Sequence, residues 1–153
     1  RAMRAVIQRV SRAEITIDHR ETRRIGKGLV VFLGVIQGDT EAQAEFMAEK
    51  VHGLRIFTDE NGKMNLSLED VDGELLVVSN FTLGTDCKKG RRPSFDMAAP
   101  PQEADKLYRH FVKRSKDLGT RKVETGEFGA HMDVLAANDG PVTIIIDTEK
   151  IGK

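Results

Sequence analysis

Val134-Leu135-Ala136-Ala137-Asn138-Asp139-Gly140-Pro141-Val142-Thr143-Ile144-Ile145-Ile146 sets two apolar, strand-forming runs on either side of a turn sequence. Gly140 can take a positive φ or admit close backbone approach, and Pro141 fixes its own φ and removes one amide donor. The stretch reads as a strand, a tight connection and a last strand from Val142 to Asp147. Carbonyls beside a residue with no N–H are free to face a ligand. Hairpin punctuation, the commoner use of such a tetrapeptide, and a ligand-facing backbone both remain open on this stretch alone.

The strands outward of it follow the same logic. Met3 to Val10 is short and largely apolar, Ala13 to Asp18 alternates apolar and polar, and together they predict two neighbouring strands. Leu29-Val30-Val31-Phe32-Leu33-Gly34-Val35-Ile36 is β-branched and apolar on both faces, the pattern of a central strand. Arg55-Ile56-Phe57 predicts a brief strand before the Asn61-Gly62 turn. Leu75 to Leu83 predicts another strand, ending at Gly84, and Arg121 to Gly126 and His131 to Ala137 two more.

Two helices interrupt them. The first is expected after Thr40, an N-cap with Gln43 in the capping-box position, burying Ala44, Met47, Val51 and Leu54. The second starts at Pro100-Pro101, carries the stripe Ala104, Leu107, Tyr108, Phe111, Val112 and Leu118, and closes at Gly119. About eight strands with two helices point to an α+β fold, a barrel-like, mainly antiparallel sheet with helices covering one side, rather than a regular βαβ fold.

At 153 residues the chain fits one domain, expected over residues 3–147, with Arg1-Ala2 an added remnant before a natural start at Met3 and a frayed polar tail at 148–153. The 24 basic and 24 acidic residues balance, so any polyanion site must be a local patch. A single cysteine, Cys87, excludes an intrachain disulfide and a cysteine-based zinc site. With no apolar run of membrane-spanning length and no signal-like start, the expectation is a soluble cytoplasmic protein.

No glycine-flanked serine, phosphate-binding loop or paired-carboxylate arrangement is present, so the usual hydrolase and nucleotide signatures are missing. The histidines His19, His52, His110 and His131 have no spacing that makes a metal pair, and no metal or cofactor is expected. His110 lies off the apolar stripe and is expected in solvent; His131, nearest the Gly-Pro turn, is the one retained as a site candidate. Ser79 and Thr82 place hydroxyls near the end of an apolar strand, where a rigid sheet can present them to a ligand or to nearby backbone. A nucleophilic Thr82 needs a base, and none is evident in the sequence. Lys88, Lys89, Arg91 and Arg92 follow directly, hinged by Gly90, and suit either solvent or phosphate.

Ser79-Asn80-Phe81-Thr82-Leu83 together with Asn138-Asp139-Gly140-Pro141-Val142-Thr143 resembles the two signature motifs of D-aminoacyl-tRNA deacylases. Met3 to Val10, Leu54 to Phe57, Lys63 to Ser67, Lys89 to Phe95, Ala99 to Pro101 and Val123 to Gly126 also look like that family, so the resemblance covers Met3 to Asp147. It implies a homodimer that hydrolyses the ester of D-aminoacyl-tRNA or glycyl-tRNA, a proofreading step in translation, and rejects L-aminoacyl-tRNA. It implies, further, a cis Gly140-Pro141 peptide supported by Arg9 and inserted into the partner subunit's pocket, where carbonyls leave no room for an L side chain.

The resemblance assigns pocket positions to Ser79, Phe81, Thr82 and Met132, with Phe81 offering a surface for the terminal adenine. Lys88, Lys89, Arg91 and Arg92 would touch the tRNA backbone, and Asn138 and Asn80 would border the substrate. Hydrolysis in this family is taken to use the 2′-hydroxyl of the terminal ribose, the protein supplying positioning and an oxyanion-binding amide at Phe81 or Thr82. A threonine nucleophile is the second choice. Asn80 departs from the usual Gln and is one methylene shorter. The competing readings are a non-catalytic tRNA-binding module using the same pocket and basic loop, and an unrelated Ser/Thr hydrolase of small esters.

Overall fold

In the computed structural model, which describes residues 2–149, one long strand touches most of the sheet. In chain order the elements are β1 (Arg4–Ile17), β2 (Glu21–Ile25), β3 (Gly28–Gly34), α1 (Glu41–Gly53), β4 (Phe57–Thr58), β5 (Met64–Leu66), β6 (Glu74–Ser79), a 3₁₀ turn (Phe81–Leu83), α2 (Pro101–Asp117), β7 (Lys122–Thr125) and β8 (Met132–Asp147). Arg1 of the expected remnant and positions 150–153 of the expected tail lie outside the described residues. Thr148 is buried and donates its N–H to Met3 O at 3.0 Å, so fraying does not include it.

β1 is a single strand where the sequence predicts two. Along one edge it pairs antiparallel with β3 through Arg4 to Val10 and with β2 through Ala13 to Ile17. Along the other edge it pairs with β8 from end to end. Continuous partners carry the chain through the polar break that looked like a boundary.

β8 corrects the reading of the Gly-Pro stretch. Both apolar runs pair antiparallel with the same neighbour, so the chain never reverses and there is no hairpin. Gln8 faces Thr143 and Val10 faces Asn138, which leaves Asp139 to Val142 opposite Arg9 alone. The turn residues form a bulge within one strand, and the Gly140-Pro141 peptide is cis. Gly140 has φ +135° and a Cβ there would meet Val142 at 2.9 Å, so glycine is required.

β3 continues parallel to β6 and β6 parallel to β7. The intervening segments contain α1 and α2, the crossovers that parallel neighbours need. These βαβ connections were hidden in the sequence by the β4–β5 hairpin after α1 and by the irregular loop before α2. The antiparallel part of the sheet gathers around β1. The sheet curls until its ends meet, where the Arg23 guanidinium of β2 donates to Thr125 O at 2.7 Å and Gly126 O at 3.3 Å beside β7. The result is the barrel-like α+β domain expected.

Burial alternates as a two-faced central strand demands. Leu29, Val31 and Leu33 join Leu75 and Val77 under the helices, packed on Met47, Val51, Leu107 and Phe111. Val30 joins Val10, Ile15, Leu76 and Val78 inside the barrel. The register also needs Gly28, since a Cβ there would lie 1.7 Å from Glu74 O. At α1 the capping box forms, Gln43 Oε1 accepting the Thr40 N–H at 2.7 Å and Thr40 Oγ1 the Ala42 N–H at 3.3 Å. Leu54 is only partly buried, as it caps the helix. Gly119 takes φ +95° after α2 as expected.

Two groups give measurable handles. Arg9 is buried and donates to Asp139 O at 3.0 Å, Ile56 O at 2.8 Å and Thr58 Oγ1 at 3.3 Å, tying the β8 bulge to β4. Replacing it leaves the buried acceptor Ile56 O without its donor and releases the bulge at Asp139. Arg9→Met is expected to lower the unfolding free energy by about 3 kcal/mol in a urea titration. Asp39 accepts the Ile36 N–H at 2.8 Å, and burial raises its carboxyl from 3.8 to about 6 against the opposing effect of that amide. The folded state therefore holds this proton more tightly than the unfolded state, and stability gains as pH falls through about 6 towards the ordinary value. Comparing melting temperatures of the wild type and Asp39→Asn from pH 8 to pH 4, the gain is expected only in the wild type.

Candidate active site

β6 ends at Ser79, earlier than the sequence predicts, because Asn80 turns the chain. Its Oδ1 accepts the Thr82 N–H at 3.2 Å and the Thr82 hydroxyl at 2.5 Å, which folds Phe81 to Leu83 into the 3₁₀ turn. Asn80 N–H itself donates to Leu33 O at 2.9 Å, anchoring the turn to β3. Its side chain is thus a clamp on the backbone, which answers where the residue in place of the usual Gln points.

The turn throws Phe81 outward to 59% exposure, where its ring meets Phe95 edge to face, centroids 5.4 Å apart. Behind it opens a cleft of about 950 Å³. Phe32, Val78, Ala104, Phe128 and Val134 give it apolar walls, and Ser79, Asn80, Gln37, Asp96 and His131 its polar groups. Among the described residues its lining holds neither lysine nor arginine.

The expected site residues divide into two groups. Ser79, Asn80, Phe81 and Met132 line the cleft. Thr82, Arg9, Asn138, Gly140 and Pro141 do not. Gly140 and Pro141 stand exposed on β8, whose second edge pairs with no strand among the described residues. Within one chain the two motifs are therefore apart.

Thr82 is exposed, and its hydroxyl donates to the amide oxygen of Asn80. Among the described residues no histidine or carboxylate is hydrogen-bonded to that hydroxyl, so no base stands ready to activate it. Thr82 N–H is also taken by Asn80, whereas Phe81 N–H has no partner among the described residues. Of the two amides considered for an oxyanion, Phe81 is the one left free.

Lys88, Lys89, Arg91 and Arg92 form an exposed loop beyond the cleft. Asp86 and Ser94 close its base through reciprocal backbone bonds of 2.8 and 2.7 Å, and Gly90 takes φ +62° at its tip. His131 lies at the cleft rim with its ring stacked on His19. His110 is not free in solvent as expected: it is half-buried, with Nε2 2.9 Å from Glu45 of α1. Phe32, Phe95 and Phe128 were not named as site residues from the sequence; only Phe95, an aromatic just past a basic run, carried a local signal.

Comparison with known proteins identifies a family. A family model described as D-Tyr-tRNA(Tyr) deacylase matches residues 6–147. A D-aminoacyl-tRNA deacylase of Thermotoga petrophila is 54% identical over 149 residues, covering 97% of this chain and 99% of the relative. One of Clostridioides difficile is 55% identical over 148 residues, with 97% and 99% covered. Among solved structures, the c-Myc DNA Unwinding Element Binding Protein is similar with a TM-score of 0.88 at 39% identity, covering 95% of this chain and 98% of that one. A structure described as a probable eukaryotic D-amino acid tRNA deacylase shares the fold with a TM-score of 0.83 at 18% identity, covering 96% and 100%. With Ser79, Asn80 and Phe81 of the motif at the cleft wall and the match running almost end to end, the chain belongs to the D-Tyr-tRNA(Tyr) deacylase family.

Proposed function

We propose that this chain hydrolyses the ester of D-aminoacyl-tRNA, and of glycyl-tRNA, leaving L-aminoacyl-tRNA intact. Water adds across the acyl C–O bond, and free amino acid and tRNA leave. The observation that carries the reading is that Ser79, Asn80 and Phe81 of the family motif wall an apolar cleft at a strand end. Its site of action is the cytoplasm, where aminoacyl-tRNA serves translation.

The arrangement of the two motifs supports a homodimer as the working unit. The exposed side of β8 carries Leu135 at 65% and Ile145 at 74% exposure on either side of the Gly140-Pro141 bulge. Pairing two copies across this face covers both side chains and lets each bulge reach the cleft of the other copy. Carbonyls of the bulge receive the substrate's amino group there, and the space left beside its α-carbon admits hydrogen but no L side chain. Selection is by exclusion, and the D side chain points outward. Arg9 holds the bulge through Asp139 O and does not touch substrate.

At the reacting carbonyl the chain supplies position and a hydrogen-bond donor. The free Phe81 N–H binds the developing oxyanion, and Asn80 fixes the turn that aims it. Water is the nucleophile, oriented by the 2′-hydroxyl of the terminal ribose, and no protein nucleophile takes part, since the Thr82 proton is directed to an amide oxygen that is no base. Phe81 and Phe95 offer their rings to the terminal base, and the basic loop meets backbone phosphates.

Incubation with D-Tyr-tRNA, Gly-tRNA and L-Tyr-tRNA is expected to release the first two amino acids only. Binding of tRNA with the D-ester left whole would favour the non-catalytic binding module. Thr82→Ala is expected to keep kcat within about tenfold, while tRNA ending in 2′-deoxyadenosine is unreactive; an essential Thr82 and a reactive deoxy substrate would restore the threonine nucleophile. Sedimentation should show a dimer that Ile145→Arg converts to an inactive but folded monomer. Full activity in that monomer would sink the cross-subunit role of the bulge.

A further inference from the structure

The β1–β2 connection and the start of β8 bring His19 against His131 and Asp133, which lie more than a hundred positions further along the chain. His19, His131 and Asp133 each offer one ligand atom, and these atoms all lie within 4.8 Å of one another. His19 Nδ1 is 3.8 Å from Asp133 Oδ2, and the two imidazoles stack with centroids 5.0 Å apart.

Backbone bonds hold the frame that carries them. Ile17 to Arg20 make a tight turn closed by Arg20 N–H to Ile17 O at 2.9 Å, with Asp18 at φ 49° and His19 at φ 58°. That turn is tied to β8 twice: Asp18 N–H donates to His131 O at 2.9 Å, and His131 N–H to Asp18 Oδ1 at 3.2 Å. Asp133 stands opposite Thr16 in the ladder. The three side chains are exposed, so the core gains nothing from their convergence.

We propose that His19, His131 and Asp133 bind a divalent borderline transition-metal ion of the zinc type at the rim of the cleft. Two imidazoles and one carboxylate are a donor set such ions favour, and three protein ligands leave a position open for water or an anionic group. A tetrahedral ion with bonds near 2.0 to 2.1 Å keeps its donors roughly 3.3 Å apart. Binding therefore draws donors that lie within 4.8 Å of one another closer by up to about 1.5 Å, and the side chains that must move are exposed. His131 also lines the cleft, which has no lysine or arginine in its described lining. A bound ion supplies there the positive charge that the cleft walls lack. The binding of the ion stands on this geometry and does not depend on the deacylase reading.

The test is a zinc chloride titration of chelator-treated protein in a Cys87→Ser background, so that the exposed thiol does not compete. Ring ¹⁵N resonances of His19 and His131 are expected to shift together and saturate at one ion per chain, while those of His52 and His110 stay in place. Calorimetry is expected to show affinity weakened roughly tenfold or more in His19→Ala and in Asp133→Asn, and unchanged in His52→Ala. Shifts confined to His52 or His110, no saturable binding, or equal affinity in His19→Ala and the parent would overturn the site. The ring resonances are read with all three ligand residues in place, so the result does not depend on a ligand variant folding.

Discussion

A buried guanidinium opposite a four-residue bulge is the constraint from which much of this structure follows. β1 has only Arg9 to set against Asp139, Gly140, Pro141 and Val142, and the ladder becomes regular again beyond a second irregularity between Val10 and Arg12. Arg9 fills the gap with donors the ladder itself lacks there, reaching Asp139 O on one strand and Ile56 O on another segment. Lysine has a single charged centre and could not serve these separated acceptors with the same planar fork. The bulge is thereby presented at the surface of a long, otherwise regular strand. Rigid presentation from a sheet holds a carbonyl in place better than a free loop would.

The cleft rests on a different economy. Its walls come from β3, β6, the start of α2, β8 and the loops beside them, so no single segment contains it. The turn at its wall is set by one residue, Asn80, which satisfies two donors of Thr82 at once. In a longer side chain such as Gln the same bonds require another rotamer or a shift of the turn. The identity of that one residue is therefore coupled to the placement of the amide that follows it.

Local signals in the sequence survived best. The capping box at Thr40 and Gln43, the left-handed glycines Gly62 and Gly119, and the two-faced run Leu29 to Leu33 all depend on neighbours within a few residues, and each is where periodicity and turn chemistry put it. What pairing decides was less visible. Whether Asn138 to Thr143 reverses the chain or bulges from it depends on β1, more than a hundred positions away, and the same tetrapeptide fits both. The strand end at Ser79 was masked because Phe81, Thr82 and Leu83 all favour strands; the Asn80 side chain overrides them. The family resemblance pointed to Ser79, Asn80, Phe81 and Met132, which line the cleft, while Phe32 and Phe128 reach it only through the folded sheet. His19 and His131 meet for the same reason: their proximity is a property of the β1–β8 ladder.

The reciprocal pairing of Asp86 with Ser94 bears on how the basic loop meets a partner. A segment whose ends are pinned a few ångströms apart has already lost much of the freedom that an open loop surrenders on binding. Its four cations flank one left-handed glycine, Gly90, within that pinned segment. For the phosphate contacts proposed above, the ordering entropy of capture is reduced in advance, so fewer of them are needed for a given affinity.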